Sequence, residues 1–122
     1  MATFDEGMAV RRRVLGDAHV DRAVDGTTDL DRAFQEWITE SIWGGIWARD
    51  GLDTKTRSML TIAVLAALGH EELELHLRAA GNTGVSTAEI AEILLHVTAY
   101  AGAPAGNRAF KLAKSIREED QE

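Results

Sequence analysis

Glu72 and His76 stand four residues apart, a separation that places two side chains on one face of a helix, where a carboxylate can orient an imidazole or raise its pKa. Such a pair moves protons, and Glu74 lies close enough in sequence to share the task. The same spacing also fits a surface ion pair on a short polar helix, so both readings stand at this point. The run His70-Glu-Glu-Leu-Glu-Leu-His76 has the look of a zinc motif but fails as one: the second histidine of His-Glu-x-x-His would fall at position 74, which is Glu74. The Glu-x-x-His of di-iron bundles would need a glutamate at position 73, which is Leu73. No metal site is expected.

Several cations and rings could serve an anionic ligand. Arg57 falls in the first turn or so of a strongly apolar helix, where a guanidinium near the core needs an anionic partner from the protein or from a ligand. Arg49 precedes the turn Asp50-Gly-Leu-Asp53 and can reach the same region or act as a solvated helix-end cation. Arg12 belongs to the basic run Arg11 to Arg13, whose consecutive positions spread around a helix and read first as a solvated face. Trp43 and Trp47 are also four apart and read as packing anchors before they read as a substrate platform. His19 sits in a stretch without clear periodicity, where a histidine is not easily explained by packing. His96 lies off the apolar stripe of its own helix, with Glu92 and Tyr100 one turn away on either side.

These residues must be positioned by helices. The pattern predicts a helix from about Asp5 to Leu15 stopped by Gly16, a long loop from Gly16 to Thr28, and an amphipathic helix from Thr28 to about Arg49. The stripe of that second helix is Leu30, Phe34, Trp37, Ile38 and Ile42, and its Gly44-Gly45 pair permits a bend or a close approach by another backbone. Met59 to Leu68 is apolar nearly all round and is expected at the centre of the core. A short helix from about Glu71 to Ala80 ends in Gly81-Asn-Thr-Gly84, and Ser86-Thr-Ala-Glu89 is a capping box. It opens a helix with Ile90, Ile93, Leu94, Val97 and Ala101 on one stripe; after Gly102-Ala-Pro104 a last helix carries Ala109, Phe110, Leu112, Ala113 and Ile116. The fold class is therefore all-α, with about six helices and no convincing strand.

The chain has 122 residues, 45% hydrophobic and 27% charged, which suits one globular domain over residues 1–122. A formal net charge of −7 argues against a nucleic-acid surface. It also means that an anionic substrate must be drawn to a local basic pocket against a repulsive field. The absence of cysteine excludes disulfides, thiolate metal sites and thiol redox catalysis. The amino-terminal Met1-Ala-Thr-Phe-Asp-Glu lacks the character of a signal peptide, and no apolar stretch reaches the length of a membrane span. A cytoplasmic protein without membrane association is expected.

Taken together, Arg12-Arg-Val-Leu-Gly-Asp-Ala-His-Val20, Trp43-Gly-Gly-Ile-Trp47, Gly51-Leu-Asp-Thr-Lys-Thr-Arg-Ser58, Glu74-Leu-His76 and Tyr100-Ala-Gly-Ala-Pro104 resemble the 4-carboxymuconolactone decarboxylases over almost the whole chain. The resemblance implies the helical fold shared with the AhpD-like alkylhydroperoxidases and a homo-oligomer, usually a hexamer. In the redox relatives a Cys-x-x-Cys-x-x-x-His helix precedes the small-residue turn; matching its histidine to His76 puts Gly69 and Glu72 where the cysteines would stand. Thiol peroxidase chemistry is thus removed while the histidine is kept, with Glu72 on the face that lines the family's site.

The family reaction implied is decarboxylation of 4-carboxymuconolactone to 3-oxoadipate enol-lactone in protocatechuate catabolism, the β-ketoadipate pathway. It needs no cofactor, because the electron pair left by carbon dioxide delocalises through a C=C bond into the lactone carbonyl as a dienolate. The protein must hold the remaining carboxylate, stabilise the oxyanion and protonate carbon. On this reading His76 gives the proton, tuned by Glu72 or Glu74; Arg57, assisted by Arg49 or Arg12, binds carboxylate; His19 and Trp43 complete the pocket. Two other readings compete: a cysteine-less AhpD-like protein acting on another lactone or keto acid, and a non-catalytic oligomeric binding module.

Overall fold

The computed structural model describes residues 3–120, so the ends of the amino-terminal stretch and of the 1–122 domain lie outside the described residues. Among the described residues there are seven helices and no strand, so the expected all-α class holds. They form two compact units divided between Thr54 and Lys55.

The first unit opens with α1 (Phe4–Leu15), whose N-cap Thr3 accepts a hydrogen bond from the amide of Glu6. Gly16 ends it at φ 89°, a left-handed value suited to glycine. The residues after it do not form the expected loop: Asp17–Asp25 is a second helix, α2. Its stripe is short, with only Val20 buried, and the pattern alone is too brief to predict it. Tertiary charge pairing supports it, since Arg12 Nη1 donates to Asp17 Oδ1 at 3.0 Å and Asp21 Oδ1 at 2.8 Å. Both carboxylates raise the guanidinium pKa, Asp21 more than Asp17, so the pair tethers α2 to α1. Arg12→Ala is expected to speed amide exchange across residues 17–25, with the difference shrinking in high salt; identical exchange in both proteins would show that the tether does not hold α2.

The predicted helix from Thr28 to Arg49 is α3 (Arg32–Trp37) continuing without a break into a π-helical segment, Ile38–Trp47. The wider turn is visible where the Ala48 amide reaches back five residues to the Trp43 carbonyl at 3.0 Å. Its expected core stripe is turned outward: Leu30 is 95%, Phe34 59% and Trp37 58% exposed. The buried face is instead Thr39, Trp43, Gly44 and Trp47, packed along α1. The reason lies in backbone proximity. A Cβ on Gly7 of α1 would lie 2.0 Å from the Thr39 carbonyl oxygen and 2.9 Å from the Gly44 amide nitrogen, so the two helices meet where side chains are absent. The close approach anticipated from the Gly44-Gly45 pair is made by Gly44.

The second unit holds α4 (Thr54–Leu68), α5 (Leu73–Thr83), α6 (Thr87–Ala101) and α7 (Ala103–Asp120) around one core containing Ile62, Ala66, Leu77, Leu94, Ala109 and Ile116. The expectation that α4 is buried all round is corrected here. It buries only Ser58, Ile62 and Ala66, four apart, while Leu60, Val64 and Leu68 are exposed. A helix packed by neighbours on one side can bury one stripe, whatever the polarity of the other.

The capping box before α6 is present in full: Ser86 Oγ accepts from the Glu89 amide at 3.1 Å and Glu89 Oε1 accepts from the Ser86 amide at 3.0 Å. Lys55 joins Glu89 at 2.9 Å, linking the starts of α4 and α6. The Ser86 amide first and Lys55 second hold the Glu89 carboxyl below the usual carboxylate range. A carboxyl lowered on folding stabilises in full above its unfolded pKa, and the contribution disappears as pH falls through the lower folded value. Ser86→Ala should cost about 1 kcal/mol, read by urea unfolding at neutral pH. Glu89→Gln should flatten the acid limb of stability, and an unchanged limb would remove this carboxyl from it. At the other end of the unit, Arg78 Nη1 pairs with Glu119 at 2.8 Å and its Nε with Glu74 at 3.5 Å, binding α5 to α7.

Candidate active site

The residues singled out from the sequence fall into both units: Arg12, His19, Trp43 and Arg49 in the first, Arg57, Glu72, Glu74 and His76 in the second.

His76 sits on the second turn of α5 between Leu73, Leu77 and Ala80, all buried, and is itself 6% exposed. It is the single buried histidine among the described residues, since His19 is half-buried and His70 and His96 are exposed. Glu72 stands just outside the helix at the N-cap position, where its backbone carbonyl accepts from the His76 amide at 3.2 Å and its side chain is exposed. Glu74 is exposed too and directs its carboxylate to Arg78. The local fold thus buries the imidazole and leaves both neighbouring carboxylates near water.

Arg57 lies in the first turn of α4 and is half-buried, and its carbonyl accepts a 2.7 Å hydrogen bond from Thr61 Oγ1. The next residue, Ser58, is fully buried with its Oγ 2.9 Å from Thr83 Oγ1. That contact ties the start of the helix carrying Arg57 to the end of the helix carrying His76. Sequence reasoning did not single out Ser58; a serine among apolar neighbours one residue after an arginine was the available signal.

In the first unit, Trp43 and Trp47 are buried with ring centroids 4.9 Å apart at 31°. Trp47, Arg49 and Arg13 line an open cleft of about 720 Å3 together with Asp50 and Asp53. His19 is on α2 instead of in a loop. Arg12 is held by Asp17 and Asp21, so an incoming anion would have to displace one of them.

The arginine taken inside is Arg11, which is 5% exposed. Its Nη1 donates to Thr39 Oγ1 at 3.1 Å and its Nη2 to Gln35 Oε1 at 3.2 Å. Gly7, Arg11 and Val14 fall on one helical stripe, and the spacing of Arg11 from Gly7 was the sign that could have found it. His96, off the apolar stripe of its helix, is exposed and packs against Tyr100 with ring centroids 4.9 Å apart at 37°.

A buried imidazole on α5 and a half-buried guanidinium on α4 are the groups needed by an enzyme that binds a carboxylate and moves one proton. The chain belongs to the carboxymuconolactone decarboxylase family, whose model matches residues 32–115 and so runs through both units. It is 46% identical over 114 residues to the 4-carboxymuconolactone decarboxylase of Acinetobacter baylyi, covering 93% of this chain and 85% of that one. It is 46% identical over 104 residues to a nitrosuccinic acid decarboxylase of Metarhizium robertsii, covering 83% and 71%. A 4-carboxymuconolactone decarboxylase of Pseudomonas putida is 54% identical over 41 residues, 34% of this chain and 85% of that one.

Proposed function

We propose that this protein releases carbon dioxide from 4-carboxymuconolactone to give 3-oxoadipate enol-lactone, a step of protocatechuate catabolism. The observation that carries the reading is 46% identity over 93% of the chain to a protein with that activity. The carbon–carboxylate bond breaks, its electron pair moves through the C=C bond into the lactone carbonyl, and a dienolate forms. His76 gives a proton to carbon and regains one from water. Arg57 holds a carboxylate that stays on the ring, through a charge-assisted hydrogen bond. Burial of the imidazole supports this role, since proton transfer is best controlled where water is excluded. Arg49, His19 and Trp43 remain as sequence-derived candidates for substrate contact, all in the first unit.

The test is a coupled assay in which the lactone is generated in situ from protocatechuate and carbon dioxide is followed with and without chelator. Release far above the spontaneous rate, unchanged by chelator, supports the reading; no acceleration by a folded preparation overturns it. Arg57→Ala is expected to lower kcat/KM by about 10- to 100-fold, the worth of a charge-assisted hydrogen bond, mainly through KM. A loss confined to kcat would move Arg57 from anchoring to the chemical step.

A second reading has its own support in the identity to the nitrosuccinic acid decarboxylase. Nitrosuccinate also loses a carboxylate beside an electron acceptor, with the pair passing to a nitro group instead of a lactone carbonyl. Comparing kcat/KM for the two acids decides between them.

Self-association, as a homohexamer, belongs to the same proposal. The outward Leu30, Phe34 and Trp37 support it, as large exposed apolar side chains are what oligomers bury. Light scattering coupled to gel filtration tests the subunit number. No helix among the described residues is long and apolar enough to cross a membrane. A cytoplasmic location belongs to the same proposal, and cell fractionation tests it.

A further inference from the structure

The second unit contains a groove that none of the residues assigned to decarboxylation lines. It lies between α5, α6 and α7 and encloses about 360 Å3, a volume in the range of small-molecule sites. Leu77, Leu94, Phe110 and Ile116 form an apolar floor. The charged and polar lining residues, Arg78, Lys114, Arg117, Asp120 and Thr87, are exposed at its mouth. Arg78 is already taken by Glu119 and Glu74. Lys114 and Arg117 stand three residues apart on α7, on neighbouring positions of one helix face, and neither is ion-paired among the described residues. On a chain of net charge −7, Lys114 and Arg117 are two cations outside these ion pairs that line one apolar groove together, with Glu118, Glu119 and Asp120 following them on α7.

From this combination we infer that the groove is a binding site for an amphiphilic monocarboxylate, a medium-chain alkanoate, with the alkyl chain on the apolar floor and the carboxylate at Lys114 and Arg117. A fully polar acid would gain nothing from the floor. An uncharged hydrocarbon would gain nothing from the rim. The C-terminal turns of α7 favour cations by themselves, but that accounts for the charges and leaves the open apolar floor unexplained.

The experiment is isothermal titration of the full chain with hexanoate, octanoate and decanoate, each below its micellar concentration. Affinity should rise by about fourfold per added methylene until the groove is filled. The double variant Lys114→Glu/Arg117→Glu, with an unchanged circular dichroism spectrum, should bind decanoate at least about tenfold more weakly, the loss of one charge-assisted contact. Methyl decanoate should bind the unmodified protein more weakly than decanoate, a comparison that needs no variant to fold. Ala113→Trp, which fills the groove, should abolish binding of all three acids. Decanoate binding unaltered by both variants would place the ligand on another apolar surface and overturn the inference. So would equal affinity for acid and ester, or the absence of binding at millimolar concentration because a second copy of the chain covers the groove.

Discussion

His76→Ala is expected to lower kcat by about 10²- to 10⁴-fold, the usual contribution of a positioned acid or base, while KM changes little. The split follows from the proposed role: a proton donor acts as carbon–carbon cleavage leaves charge behind, and contributes little to holding the ground-state carboxylates. The side chain is buried among Leu73, Leu77 and Ala80, so the substitution also opens space, and stability must be measured beside rate. His76→Gln keeps most of the volume and hydrogen-bonding capacity but cannot exchange a proton near neutral pH. It should therefore be as slow as the alanine variant while melting close to the parent. A glutamine variant that turns over normally would remove His76 from proton transfer and leave it as a core residue of α5. The partners also matter: Glu72 and Glu74 are exposed, and Glu74 faces Arg78, so Glu74→Gln is expected to act through the α5–α7 ion pairs before it acts on the rate.

Gly7→Ala should be the most damaging single-methyl addition in the first unit. The new Cβ would meet the Thr39 carbonyl oxygen at 2.0 Å, the Thr39 carbonyl carbon at 3.0 Å and the Gly44 nitrogen at 2.9 Å, all backbone atoms that no rotamer change can move. Alanine gains about 1 kcal/mol over glycine inside a helix, and overpacking costs about 1–3 kcal/mol or more. Because the contacts are backbone on backbone, the penalty wins, and α1 must part from the π-helical segment. All three tryptophans, Trp37, Trp43 and Trp47, lie in that unit, so urea unfolding followed by indole fluorescence reads the loss directly. Gly81 supplies the opposite sign. It is inside α5, and a Cβ there meets nothing within 4 Å, so Gly81→Ala should stabilise by up to about 1 kcal/mol. Equal stability of the Gly7→Ala variant and the parent would contradict the close crossing of α1 and the π segment.

Local chemistry was legible in the sequence wherever its cause was local. The stop at Gly16 and the capping box of Ser86 and Glu89 depend on neighbours within one or two turns and appear as read; of the stripe Ile90, Ile93, Leu94, Val97 and Ala101, the middle three are buried, Ile90 is half-buried and Ala101 is exposed. The all-helical class followed from such signals, and the family from the order of short motifs along the chain. The positions that needed tertiary structure were decided by which helix lies against which. Gly7 brings α1 onto Thr39 and Gly44, so the buried face of Ile38–Trp47 is the one with small residues, and the more apolar Leu30, Phe34 and Trp37 turn outward. The same crossing takes Arg11 inside and leaves Arg12 to bind Asp17 and Asp21, although the two are adjacent and identical in type. Periodicity shows that a helix has faces; only the packing partner determines which face loses its water, because burial is a property of two surfaces and the sequence of one helix describes a single surface.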